Sequence, residues 1–142
     1  MRKGIQTVHE LKAPIQAVWD RIKTGANWED WLPILAGSAV TGNHRTCNVP
    51  GPDGTEDVFE ELFLAMDLEK TFIYQIHKQQ SFPASDIIGF IRLNENGAST
   101  TMHWSVEMTV ESEEIFQGLK GQIEMIYGDA TNKLEELANV TA

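Results

Sequence analysis

The chain has 142 residues, 42% of them hydrophobic and 23% charged, enough to bury a core without a metal or a disulfide. Eleven Lys+Arg against twenty-one Asp+Glu leave a net charge of −10, which repels phosphate backbones and anionic lipid and sets aside nucleic-acid binding and stable membrane association. The single cysteine, Cys47, has no internal partner for a disulfide and suits a reducing compartment.

No repeat, low-complexity tract or Ser/Gly-rich linker divides the sequence, so residues 1–142 are expected to form one domain. The first residues lack the apolar run of a secretory signal, and no stretch approaches the ~20 apolar residues that span a bilayer. A cytoplasmic setting is expected.

Residues 3–12 alternate as a strand, with Ile5, Thr7, His9 and Leu11 on one face and Gln6, Val8 and Glu10 on the other. Pro14 opens a short amphipathic helix carrying Ile15, Val18, Trp19 and Ile22 at helical spacing, and Gly25 stops it. Residues 27–33 read as a second, very short helix ended by Pro33. Six candidate strands follow: 34–42, 44–49, 56–66, 70–78, 86–93 and 99–110. Turns at Gly51-Pro52-Asp53-Gly54 and Asn94-Glu95-Asn96-Gly97 punctuate them. In the last strand Met102, Trp104, Val106, Met108 and Val110 face one way, and Thr101, His103, Ser105, Glu107 and Thr109 the other, the pattern of a sheet wet on one side.

Ser112 can cap a final helix over 113–137, with Glu113 and Glu114 against its positive end. Phe116, Leu119, Ile123, Ile126, Tyr127, Ala130, Leu134 and Leu137 give it an apolar stripe. Gly118, Gly121 and Gly128 each cost that helix about 1 kcal/mol relative to alanine. They imply either a close neighbour or open space beside the backbone. The fold class expected is α+β: seven antiparallel strands with a long terminal helix laid across them, in the order β-α-α-β6-α.

Ala13-Pro14 followed by Val18-Trp19, and then the Trp28/Trp31-Leu32-Pro33 cluster, resembles the opening of the polyketide cyclase/dehydrase and lipid-transport (START-like, SRPBCC) superfamily. Gly42, Arg45, Glu60-Glu61-Leu62, Asp67 and Thr71-Phe72-Ile73-Tyr74-Gln75-Ile76 continue the likeness, and Trp104, Tyr127 and Leu134 extend it to the end of the chain. It covers roughly Gly4 to Leu137. The resemblance implies a helix-grip fold, a curved sheet around the terminal helix with an elongated cavity between them. Members use such a cavity for sterols, lipids, polyketides, plant hormones or aromatic intermediates; some catalyse cyclisation or dehydration, some only bind, and some regulate chaperones.

Given such a cavity, the candidate ligand-binding residues are Trp104, Met102, Tyr74, Gln122, His9 and Phe82. Trp104 and Met102 share the inward stripe, with Met108 read as core. Tyr74 offers a hydroxyl, and Gln122 a polar group on an apolar helix. His9 stands among apolar neighbours on the first strand; the alternative is a core histidine bonded to a neighbouring strand. Phe82 lies on a loop, Ser81-Phe82-Pro83-Ala84, expected at the cavity mouth beside Pro50-Gly51-Pro52-Asp53-Gly54. His9 and Tyr74 are also the candidates for proton transfer.

One of Glu60 and Glu61 must face inward, toward Arg45 on the preceding strand, because neighbours in a strand point to opposite faces. His44 and Cys47 are too few to close a zinc site, and no nucleophile motif or phosphate loop is present, so neither metal nor cofactor is expected. The leading function is binding of a small, largely apolar ligand: a lipid, polyketide or aromatic metabolite. The rivals are a cyclase- or dehydratase-type enzyme and a regulatory domain with a vestigial cavity. A homodimer is left open.

Overall fold

The computed structural model describes residues 1–66 and 69–141. Asp67, one of the residues carrying the resemblance, lies outside them.

The first strand, β1 (Arg2–Leu11), buries Ile5 and Leu11 and exposes Val8, as its alternation requires. Pro14 holds the extended conformation before α1 (Ile15–Ile22), which buries Val18, Trp19 and Ile22. The second helix is shorter than its sequence suggests, a single 3-10 turn over Trp28–Asp30. Asn27 enters it with a left-handed φ of 61° and Trp31 leaves it at a φ of −131°. A further turn closed by the Leu35 N–H on the Leu32 carbonyl delays β2, expected from residue 34, until Gly37–Thr41.

The remaining strands are β3 (His44–Pro50), β4 (Glu56–Ala65), β5 (Thr71–Lys78), β6 (Ser85–Asn96) and β7 (Ser99–Thr109). They form one antiparallel sheet in the order β1-β7-β6-β5-β4-β3-β2. The β6–β7 hairpin turns tightly at Gly97, whose φ of 62° a residue with a side chain rarely adopts. The β4–β5 register shifts at Glu60/Glu61 and again at Phe63/Ala65. Such bulges bend a strand and increase its twist, and here they help curve the sheet around the helix.

The terminal helix, α2 (Glu113–Thr141), is continuous over 29 residues. The Ser112 hydroxyl accepts the Ile115 N–H at 3.2 Å, and Glu113 and Glu114 occupy the first turn. Its apolar stripe faces the concave side of the sheet, where the Tyr127 ring stacks on Trp104. His103, on the other side of β7, is exposed. The fold is α+β, a curved antiparallel sheet gripping one long helix.

Candidate functional site

A cavity of about 70 Å³ lies between the sheet and α2. Its wall is largely aliphatic, with Leu, Ile, Val and Met side chains, and carries aromatic faces from Trp28, Phe59, Tyr74, Trp104 and Tyr127. The Trp104 and Tyr127 rings are stacked, with centroids 3.6 Å apart and planes 6° from parallel. Trp104 Nε1 donates to the Tyr74 hydroxyl oxygen at 3.2 Å. Tyr74 reaches this position because residue 89 opposite it is glycine. A Cβ there would stand 2.2 Å from the Tyr74 ring.

Burial pushes the Tyr74 phenol up to about 12, against the hydrogen bond from Trp104. Tyr127 is raised well above the usual phenol value by burial and then by Tyr74 beside it. Both stay protonated at neutral pH. They act as hydrogen-bonding hydroxyls rather than as bases.

One end of the cavity is ionic. Arg45 and Glu61 both line it and are only 2% and 3% exposed. Arg45 Nε donates to Glu61 Oε1 at 2.9 Å, Nη2 donates to the same oxygen, and Nη1 donates to the Gly25 carbonyl at 2.8 Å. The guanidinium lies over the Trp28 ring, 4.0 Å from its centroid, with Phe63 and Tyr74 farther off. Gly25 is needed here, since its φ is 75° and a Cβ would stand 2.3 Å from the Phe63 ring. Cys47 is buried nearby, its thiol pushed up to about 12 by burial and then by the negative charge of Glu61.

Ile34, Phe82 and Ile126 line both the cavity and an open groove of about 410 Å³. That groove is lined by Pro50, Gly51 and Pro52 of one loop and by Ser81 and Phe82 of the other. The Phe82 loop is held from two sides. Asp57 Oδ2 accepts the Gln80 and Ser81 N–H groups at 2.8 and 2.9 Å and the Ser81 hydroxyl at 2.7 Å. The Gln79 amide donates to the Phe82 and Ala84 carbonyls and accepts the Phe82 N–H. Phe82 is thereby laid against Phe59, with ring centroids 6.1 Å apart.

Of the six expected ligand contacts, Trp104, Tyr74 and Phe82 lie on the cavity wall. The other three lie elsewhere. Met102 is fully buried but off the wall, opposite Leu93 and His9 in register, near Thr100, whose hydroxyl donates to the Ala13 carbonyl just before α1. Met108, read as core, lines the cavity instead. Gln122 is exposed and borders the outer groove, because it sits off the Leu119–Ile123 stripe of α2. His9 is half-buried between β1 and α2, with Nε2 2.9 Å from Thr7 Oγ1 and Nδ1 3.4 Å from Thr131 Oγ1. Burial holds its imidazole below the usual value.

Arg45 and Glu61 were legible as a pair but not as cavity wall. Tyr127 was legible only as part of the helix stripe; its hydroxyl among apolar neighbours was the available signal. Trp31 is fully buried against Trp28 and Trp104, and its Nε1 meets no acceptor among the described residues.

Residues 3–141 match the family described as polyketide cyclase / dehydrase and lipid transport. Among solved structures, the chain is similar to the XoxI protein of Bacillus cereus at 24% identity, with 94% of this chain and 93% of that one covered and a TM-score of 0.79. It is similar to the Zhui aromatase/cyclase of Streptomyces sp. R1128 at 12% identity, over 98% and 94% of the two chains, with a TM-score of 0.78. A START superfamily protein of Mycobacterium smegmatis gives the same TM-score at 12% identity, over 98% and 99%. At these identities the likeness is one of fold. No curated protein matches the sequence. Among the described residues no helix is long and apolar enough to cross a membrane.

Proposed function

The chain belongs to the polyketide cyclase/dehydrase and lipid-transport family, and from that premise we infer that it binds a small, largely apolar, ring-bearing molecule between its sheet and α2. The observation that carries this is an apolar cavity with aromatic faces that shares three apolar side chains, Ile34, Phe82 and Ile126, with an open groove. The present volume of about 70 Å³ bears on how binding occurs. A dry cavity of roughly 150 Å³ holds one benzene, so the closed form is too small for a single ring. A ligand therefore enters by displacing Phe82 and joining the cavity to the groove. The aromatic faces of Trp28, Tyr74, Trp104 and Tyr127 offer stacking surface for a ring, and the aliphatic remainder of the wall suits the rest of an apolar skeleton.

The geometry favours binding over catalysis. Tyr74 is held in its protonated form, which suits donation to a ligand oxygen rather than proton abstraction. His9 stands outside the cavity wall. The proposal takes residues 1–142 as one domain in a cytoplasmic, reducing setting, for which the buried free thiol of Cys47 is suited.

Titration with a neutral aromatic probe, 1-naphthol, followed by tryptophan emission, tests the inference. Saturable quenching is the expected result. Absence of saturable binding of naphthol, together with no small molecule in native mass spectra of freshly purified protein, would overturn it.

A further inference from the structure

Among the described residues Arg45 is the only cation on the cavity wall, and Glu61 already occupies it. Two of its nitrogens donate to a single carboxylate oxygen, Glu61 Oε1, and a third donates to the Gly25 carbonyl. The Trp28 ring covers one face of the guanidinium. The arrangement is that of a carboxylate-binding site filled from within the chain: guanidinium, aromatic platform and a bound acid. Resting on the binding function above, we propose that Glu61 is the specificity-determining residue of the cavity, an internal carboxylate that makes it accept neutral ring compounds and refuse organic acids.

Local charge decides the matter. A neutral ligand enters next to a pair whose charges already cancel. A carboxylate ligand must either remain unpaired in a desolvated space or displace Glu61 from Arg45, leaving Glu61 buried without its partner. Both alternatives bury an uncompensated charge. Glu61 is itself desolvated, its side chain 4% exposed and its position opposite Ile76 on β5. Alternation along β4 leaves Glu60 half-exposed near Lys78 and turns Glu61, on the face of Phe59 and Phe63, inward against Arg45.

The test compares two probes of the same ring, 1-naphthol and 1-naphthoate, on the wild-type protein and on Glu61→Gln. Glutamine keeps the side-chain shape and an oxygen for Arg45 but removes the charge. Wild type is expected to bind naphthoate about a hundredfold more weakly than naphthol, the size of one uncompensated buried charge. In Glu61→Gln the freed guanidinium should tighten naphthoate by about tenfold or more, while naphthol changes by less than about threefold. Equal binding of both probes by wild type would overturn the proposal and leave the binding function standing. So would a Glu61→Gln protein that holds naphthol and still refuses naphthoate. Failure of wild type to bind naphthol would take down both. If Glu61→Gln is unfolded by its unpaired arginine, naphthoate should restore its folded near-ultraviolet circular dichroism while naphthol should not. Equal restoration by both, or by neither, would count against Glu61 as the internal acid.

Discussion

Trp104 holds the cavity wall through two different contacts, a stack on Tyr127 and a hydrogen bond to Tyr74. Phenylalanine at this position keeps the stack and loses the donor. Trp104→Phe should therefore stay folded, at a cost of about 1–2 kcal/mol from one buried hydrogen bond and a little lost volume. It should also abolish most of the emission change caused by naphthol; an unchanged response would place the reporting indole at Trp19, Trp28 or Trp31. His9 makes a prediction about pH instead. Its imidazole is held below 6.5 by burial, so the unfolded chain takes up the proton first as pH falls. The stability it contributes is present above its unfolded value of 6.5, declines as pH falls below that value, and levels off beneath the lowered folded value. Thermal melts between about pH 5 and 8 should show this decline in wild type and a flatter profile in His9→Gln. Parallel profiles would mean that other groups govern the acid limb.

Gly118, Gly121 and Gly128 of α2 show how far a sequence can speak for an element. Their cost to a helix was plain from composition, but composition could not say whether a neighbour demanded them. Among the described residues, no atom beyond the helix's own backbone and the adjoining residues comes within 4 Å of where a Cβ would stand at any of the three. Gly118→Ala and Gly121→Ala, both on the exposed side, should each raise stability by about 1 kcal/mol in urea denaturation. A loss would point to a need for local flexibility. Strand alternation was equally reliable about faces and silent about depth. It put Met102, Trp104 and Met108 on one side of β7, yet Met102 lies near Thr100, whose hydroxyl donates to the Ala13 carbonyl just before α1, while Met108 lines the cavity. The inward choice between Glu60 and Glu61 follows the plain alternation of β4, since Glu61 shares the buried face of Phe59 and Phe63. The loop over 79–84 gives a prediction at the same scale. Burial alone would raise the Asp57 carboxyl, but donation from the Gln80 N–H and the Ser81 hydroxyl and N–H outweighs it and holds the group below its usual value. The latch is thus present above the unfolded carboxyl value of 3.8 and is lost as pH falls through the lower folded one. Asp57→Ala should release it at neutral pH, speeding hydrogen exchange at Gln80 and Ser81 and raising the association rate of naphthol. Unchanged exchange there would show that Gln79 alone secures Phe82.

At the scale of the whole molecule two electrostatic effects act against an anionic ligand, and they differ in range. The chain carries a net charge of −10, which repels anions through solvent before any contact is made. That repulsion reaches about 10 Å at 0.1 M ionic strength and about 3 Å at 1 M. Glu61 acts at contact distance inside a desolvated cavity, where salt screens little. Added salt should therefore speed naphthoate association with Glu61→Gln and leave naphthol association nearly unchanged. Wild type should go on refusing naphthoate at every salt concentration, because the obstacle there is an occupied guanidinium rather than a repulsive surface. Stopped-flow tryptophan emission at low and high salt separates the two. If high salt alone lets wild type bind naphthoate as tightly as naphthol, the surface charge sets the selectivity, and the pair of Arg45 and Glu61 serves only to tie β3 to β4 and to the Gly25 turn.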